Sequence, residues 1–187
     1  MKHYTYIIIL LLFAKSLSAQ EYEKDKKFIN EVVSHEGKMI VLDHLNNYTI
    51  QTIRDDFKSD TVQYDAKNAG TLILTKAEQK YIHKQLEEME RPYLKADLFD
   101  STQIVSPSSI HRLFKKGIGE GWEAFYKRYS PKGYYVFSKP IFLRNDSLCI
   151  FYYGYSCGGL CGSGGLYIYK KTGSDWKPWL ELFRWIS

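Results

Sequence analysis

The spacing of apolar positions changes once along the chain, from a helical period in the first two-thirds to an alternating period in the last third. Residues 21–36 carry Phe28, Ile29, Val32 and Val33 at helical spacing, and Gly37 is placed to end the run, which predicts an amphipathic opening helix. Residues 39–42 and 48–53 are short apolar or alternating runs and read as strands. Thr75-Lys-Ala-Glu78 is a capping box, in which hydroxyl and carboxylate each satisfy an otherwise unpaired backbone N–H. It predicts a helix over 75–90 with Ala77, Tyr81, Ile82, Leu86 and Met89 on one face and Pro92 beyond its end. Ser106-Pro107 reads as an N-cap followed by proline at the first helical position, where its missing N–H costs nothing. Ile110, Leu113 and Phe114 share that helix's face, and Gly117 stops it. A further helix follows, with Trp122, Phe125 and Tyr129 at i, i+3 and i+7 as a stripe best explained by core packing.

From Gly133 onward the period is two. Residues 134–143, 148–155, 166–171 and 176–186 are four strand-like runs, separated by Arg144-Asn-Asp-Ser147, a glycine-rich segment and Thr172-Gly-Ser-Asp175. Connections this short join antiparallel neighbours. The predicted fold is therefore α+β: a four-stranded antiparallel C-terminal meander packed against the N-terminal and central helices. Pro140 and Pro178 each remove a ladder donor and so belong at a strand end, a bulge or an edge.

The first nineteen residues have a short basic start at Lys2 and His3, an apolar run of about eight residues, and small residues ending at Ala19, the pattern of a secretory signal peptide. A bilayer span needs about 20 apolar residues, so no membrane span is expected after cleavage. Residues 20–187 are expected to form a single exported domain, periplasmic or secreted. Loss of Lys2 and Lys15 with the leader would lower the formal net charge from +5 to +3. That near balance, with lysines spread among acids, argues against nucleic acid as a partner.

The most distinctive stretch is Tyr155-Ser-Cys-Gly-Gly-Leu-Cys-Gly-Ser-Gly-Gly-Leu-Tyr167. Gly154-Tyr-Ser156-Cys-Gly158 matches G-x-S-x-G, but a nucleophile elbow requires a helix after the turn and a histidine later in the chain, and the last histidine is His111. A Walker loop requires a lysine and a following helix, and this segment has neither. Cys157 and Cys161 have no clustered histidine to complete a metal site, so no metal or other cofactor is expected. Thiols outside the cytoplasm pair. Gly158 and Gly159 allow the chain to turn back, so Cys157 and Cys161 are expected to form a disulfide staple. Residue pairing of 148–155 with 164–171 would set Cys149 opposite about Lys170, away from the bridge, as a buried apolar side chain. A redox-active pair is the alternative, although C-x-x-x-C differs from the C-x-x-C of thioredoxin-like proteins and has no helix N-terminus to lower a thiol pKa.

Trp122…Phe125…Tyr129, then Phe137-Ser-Lys-Pro-Ile-Phe142, the cysteine turn, and Leu166-Tyr-Ile-Tyr-Lys-Lys followed by Gly173 and Trp176-Lys177 resemble the C-terminal module of a group of uncharacterised exported bacterial proteins. The resemblance spans residues 106 to 180. It implies a genuine domain and an exported location and adds no catalytic residue. The leading functional expectation is a non-enzymatic domain that binds a ligand or protein partner through a Tyr-rich sheet face carrying Tyr153, Tyr155, Tyr167 and Tyr169. The same residues would also serve as ordinary cross-strand pairs on a solvated face. Rival expectations are a periplasmic thiol oxidoreductase using Cys157 and Cys161, or a small hydrolase using carboxylates such as Glu120, Glu123 or Asp146.

Overall fold

The computed structural model describes residues 19–33, 37–63, 70–129 and 132–187. The proposed signal segment falls almost entirely outside them, as does His35. The chain divides into two compact units, Met1–Ser34 and His35–Ser187. The first contains helix α1, residues 19–32. Among the described residues no helix is long and apolar enough to cross a membrane.

The second unit is mixed α+β. In chain order it contains β1 (Met39–Leu42), α2 (Asn47–Asp56), β2 (Thr61–Gln63), β3 (Thr71–Ile73), α3 (Lys76–Glu88), β4 (Thr102–Val105), α4 (Pro107–Leu113), α5 (Ile118–Arg128), β5 (Tyr134–Phe137), β6 (Ile141–Leu143), β7 (Leu148–Gly158), β8 (Cys161–Thr172) and β9 (Asp175–Ile186). The expected antiparallel C-terminal strands are present, but the sheet has seven strands rather than four. Its order is β4-β1-β5-β7-β8-β9, with β6 beside β5 on the same edge of β7. β1 lies parallel to both β4 and β5, which extends the meander with two short N-terminal strands. β2 and β3 form a separate antiparallel pair.

Pro140 accounts for the break between β5 and β6. The gap is repaired by Ser138, whose backbone N–H donates to the Tyr152 carbonyl at 2.9 Å while its hydroxyl accepts from the Tyr152 N–H at 2.9 Å. Pro178 sits on the edge strand β9, next to a register shift, where its missing donor is tolerated.

Residues 48–53, expected as a strand, lie inside α2. The Asn46 side chain caps that helix by accepting from the Thr49 N–H, and Ile50, Ile53 and Phe57 then repeat at i, i+3 and i+7 toward the core. Helix α3 has the predicted capping box. Its buried side is Ile82, Gln85, Leu86 and Met89, whereas Ala77 and Tyr81 face outward. Ser106 caps α4 with Pro107 at its start. Trp122, Phe125 and Tyr129 are buried beneath β1 with Ile40, Leu42 and Ile110.

Alternation along β7 sorts the sheet into two faces. Leu148, Ile150 and Tyr152 join Leu166, Ile168, Leu180 and Leu182 in the core that packs on α2 and α3. Val136 touches both this cluster and the one beneath α4 and α5, so the four helices cover one face of the sheet. Cys149, Phe151, Tyr153 and Tyr155 point the other way.

At the far end from the glycine segment, Arg144, Asn145 and Asp146 take three consecutive left-handed conformations between β6 and β7. Arg144 donates to Glu78 at 2.9 Å and to the Ile73 carbonyl at 2.7 Å, tying this turn to the start of α3. The Arg144 hydrogen bond holds the Glu78 carboxyl below its ordinary value. A depressed carboxyl contributes stability above its unfolded pKa and loses it as pH falls through the folded one. Glu78→Gln should therefore cost at most about 1 kcal/mol near neutral pH, because solvent screens this partly exposed pair, with the difference from the unsubstituted protein vanishing on acidification in urea melts. A difference that is constant with pH would contradict this role for the ion pair.

Candidate functional site

The glycine-rich segment is mostly strand. β7 and β8 run through it and leave only Gly159-Leu160 as the turn, rather than the ten-residue loop that its composition suggests. Cys157 and Cys161 form a disulfide across this hairpin, with Cα atoms 5.1 Å apart. Cys149 lies outside the bridge, fully buried in β7. Tyr169, not Lys170, is opposite it. The shift of one residue arises at the irregularity between Ser156 and Gly158, which the register counted back from the turn does not include.

The glycines serve the helix-covered face. Gly154 and Gly164 are directly opposite one another, and the Trp185 indole lies over them and over Gly162. A Cβ on Gly164 would stand 2.7 Å from Trp185 Nε1 and 2.6 Å from the Tyr153 carbonyl. The indole N–H donates to the Tyr152 hydroxyl at 3.1 Å. Only residues without side chains leave room for this indole against the strands.

On the opposite face the same strands hold tyrosines. Tyr153 and Tyr167 stack at 5.6 Å between ring centroids and 17° between planes. Tyr135 and Tyr155 pair at 4.5 Å. All four are partly buried. Tyr169 contacts Tyr167 at 6.2 Å but is only 4% exposed, in the part of the face that also buries Phe137, Cys149 and Phe151. Tyr169 is thus the inner end of the row and Tyr155 the outer end. Burial pushes the Tyr135, Tyr155, Tyr167 and Tyr169 hydroxyls above the ordinary phenol value, with Tyr153 adding to the shift at Tyr167. They therefore remain protonated and able to donate at any physiological pH.

Beyond Tyr155 the row opens into a cleft of about 510 Å³ lined by Tyr126, Lys132, Tyr155, Cys157 and Cys161. Strand β5 starts at Tyr134, opposite Ser156, so the ladder on that side stops one residue short of Cys157. The Tyr126 hydroxyl donates to the Cys157 carbonyl at 2.6 Å and completes the pairing. A larger cleft along α3 is lined by Lys58, Lys84 and His83 among others, but Lys58 and Lys84 already face Asp55 and Glu88.

Among the described residues, the side chains named for catalysis lie apart from one another. Tyr134, the cross-strand neighbour of Ser156, hydrogen-bonds to its hydroxyl. His44 contacts Asp43, and His83 and His111 belong to α3 and α4. Glu120 and Glu123 are exposed on α5 beside the hairpin tip, while Asp146 lies at the opposite end of β7, roughly 30 Å away at 3.3 Å per residue. Among the described residues no group of three His, Cys, Asp or Glu side chains could hold a metal. Sequence reading had missed Tyr126, Tyr135 and Lys132. The i, i+4 step from Trp122 to Tyr126 was the available signal for the first, and those rings stack at 5.7 Å.

No family model, curated protein or solved structure matches the chain.

Gly164→Ala should destabilise the protein by about 1–3 kcal/mol through overpacking, with a change in Trp185 fluorescence. Stability equal to that of the unsubstituted protein would show that the indole does not need the glycine floor. Replacing Cys157 and Cys161 by serine should cost no more than about 2–3 kcal/mol and preserve the fold. Peptide mapping of the unreduced chain should join these two cysteines and leave one titratable thiol after unfolding. Three thiols would contradict the staple.

Proposed function

We propose that the protein is an exported, non-enzymatic binding module that recognises a ligand or protein partner through the tyrosine face of its sheet. The observation that carries this reading is the row Tyr135, Tyr153, Tyr155 and Tyr167, four half-buried rings fixed in pairs on interior strands. Pairing restricts the rings before any ligand arrives, so less side-chain entropy is lost on binding. Stacking also occupies part of each ring face and leaves rims and hydroxyls for contact, which suits a partner rich in hydrogen-bond acceptors. Glu181 and Arg184 interact electrostatically with Tyr167 and add charge beside the row.

The oxidoreductase alternative draws less support from the same geometry. Both cysteines occupy strands, and neither sits at a helix N-terminus that would favour a thiolate.

A ligand screen by NMR, using peptides and saccharides with the tyrosine ring resonances as reporters, tests the proposal. Bound compounds should shift Tyr135, Tyr153, Tyr155 and Tyr167 while leaving buried Tyr152 unmoved. Tyr153→Ala with Tyr167→Ala should weaken binding about tenfold or more, within the range of an interface hot spot. Ligands that shift only residues along α3 would contradict the assignment.

A further inference from the structure

We propose that the cleft at the hairpin tip binds a small organic acid with an aromatic or apolar body, its carboxylate held by Lys132 and its body held between Tyr126 and Tyr155 against the disulfide. The inference deepens the recognition reading above and rests on it through Tyr155, which belongs to both surfaces. The volume of about 510 Å³ lies in the range of small-molecule sites. The chemistry of the lining is one-sided: a single ammonium, two phenols, two sulfurs and no carboxylate. Among the described residues no acid pairs with Lys132, so its charge is available to an incoming anion. The two rings are also held in place. Tyr126 is stacked on Trp122 and hydrogen-bonded to Cys157, and Tyr155 packs on Tyr135. The disulfide closes the remaining wall with apolar, polarisable sulfur. A neutral sugar would leave the ammonium unused, and a bare inorganic anion would leave the rings unused.

The test is an NMR titration of the full exported chain with 4-hydroxyphenylacetate and, separately, with the neutral isostere 4-hydroxyphenylacetamide. The acid should bind saturably, shift Tyr126, Lys132 and Tyr155, and bind more weakly as salt is raised. Lys132→Ala should weaken the acid about tenfold or more, as expected for loss of a charged hydrogen bond, and leave the amide unaffected. Equal affinity for acid and amide, an unchanged affinity in Lys132→Ala, or no binding of the acid at millimolar concentration would each overturn the proposal. Tyr153→Ala with Tyr167→Ala should retain the acid. Failure of the unsubstituted chain to bind the acid, while its tyrosine face still engages other ligands, would remove the cleft alone. Acid binding through Lys132, with no ligand shifting Tyr153 or Tyr167, would remove the wider recognition reading.

Discussion

The period of two on β7 is the constraint from which the rest of the structure follows. This strand has partners on both edges, so its backbone groups are committed to the ladder and its side chains must divide strictly between two faces. One set, Leu148, Ile150, Tyr152 and Gly154, builds the core and then the floor under Trp185. The other, Cys149, Phe151, Tyr153 and Tyr155, passes from a buried aromatic cluster to a half-open tyrosine row. A residue inserted in β7 would exchange the two sets and lose both surfaces at once.

The segment that looks most like a catalytic loop is therefore a platform. Its glycines leave space for an indole on one side, while tyrosines flank them on the other, and the disulfide with the Tyr126 hydrogen bond fixes the hairpin end. Within it Ser156 is hydrogen-bonded to Tyr134 across the ladder, and the two cysteines are joined to each other. The cleft at this end is lined by two phenols, the Lys132 ammonium and the disulfide sulfurs, with Glu120 and Glu123 exposed on α5.

Much of this was legible in the sequence where a local rule decides the outcome. The Thr75 and Glu78 capping box, the Ser106-Pro107 start, the aromatic stripe from Trp122 and the disulfide all depend on residues close together in the chain. Long-range pairing was not legible. Four-residue β1 and β4 have too little length to show a period, and the parallel pairing of β1 with β4 and with β5 joins segments separated by dozens of residues. Residues 48–53 misled because Asn46, the cap that makes them helical, lies outside the run. The glycine segment misled because composition signals flexibility, whereas these glycines are required by the contact with Trp185. Tyr169 shares the spacing of Tyr167, and only packing distinguishes the buried ring from the half-open one.

Amide hydrogen exchange across residues 153–167 tests the central claim most directly, since a platform and a loop differ in opening free energy. β7 and β8 are both interior strands, so the amides of Tyr153 to Tyr155 and Ser163 to Tyr167 should exchange only through near-global unfolding, with the disulfide intact. Exchange of these amides at the rate of an unstructured peptide would contradict the account and return the segment to the class of mobile loops.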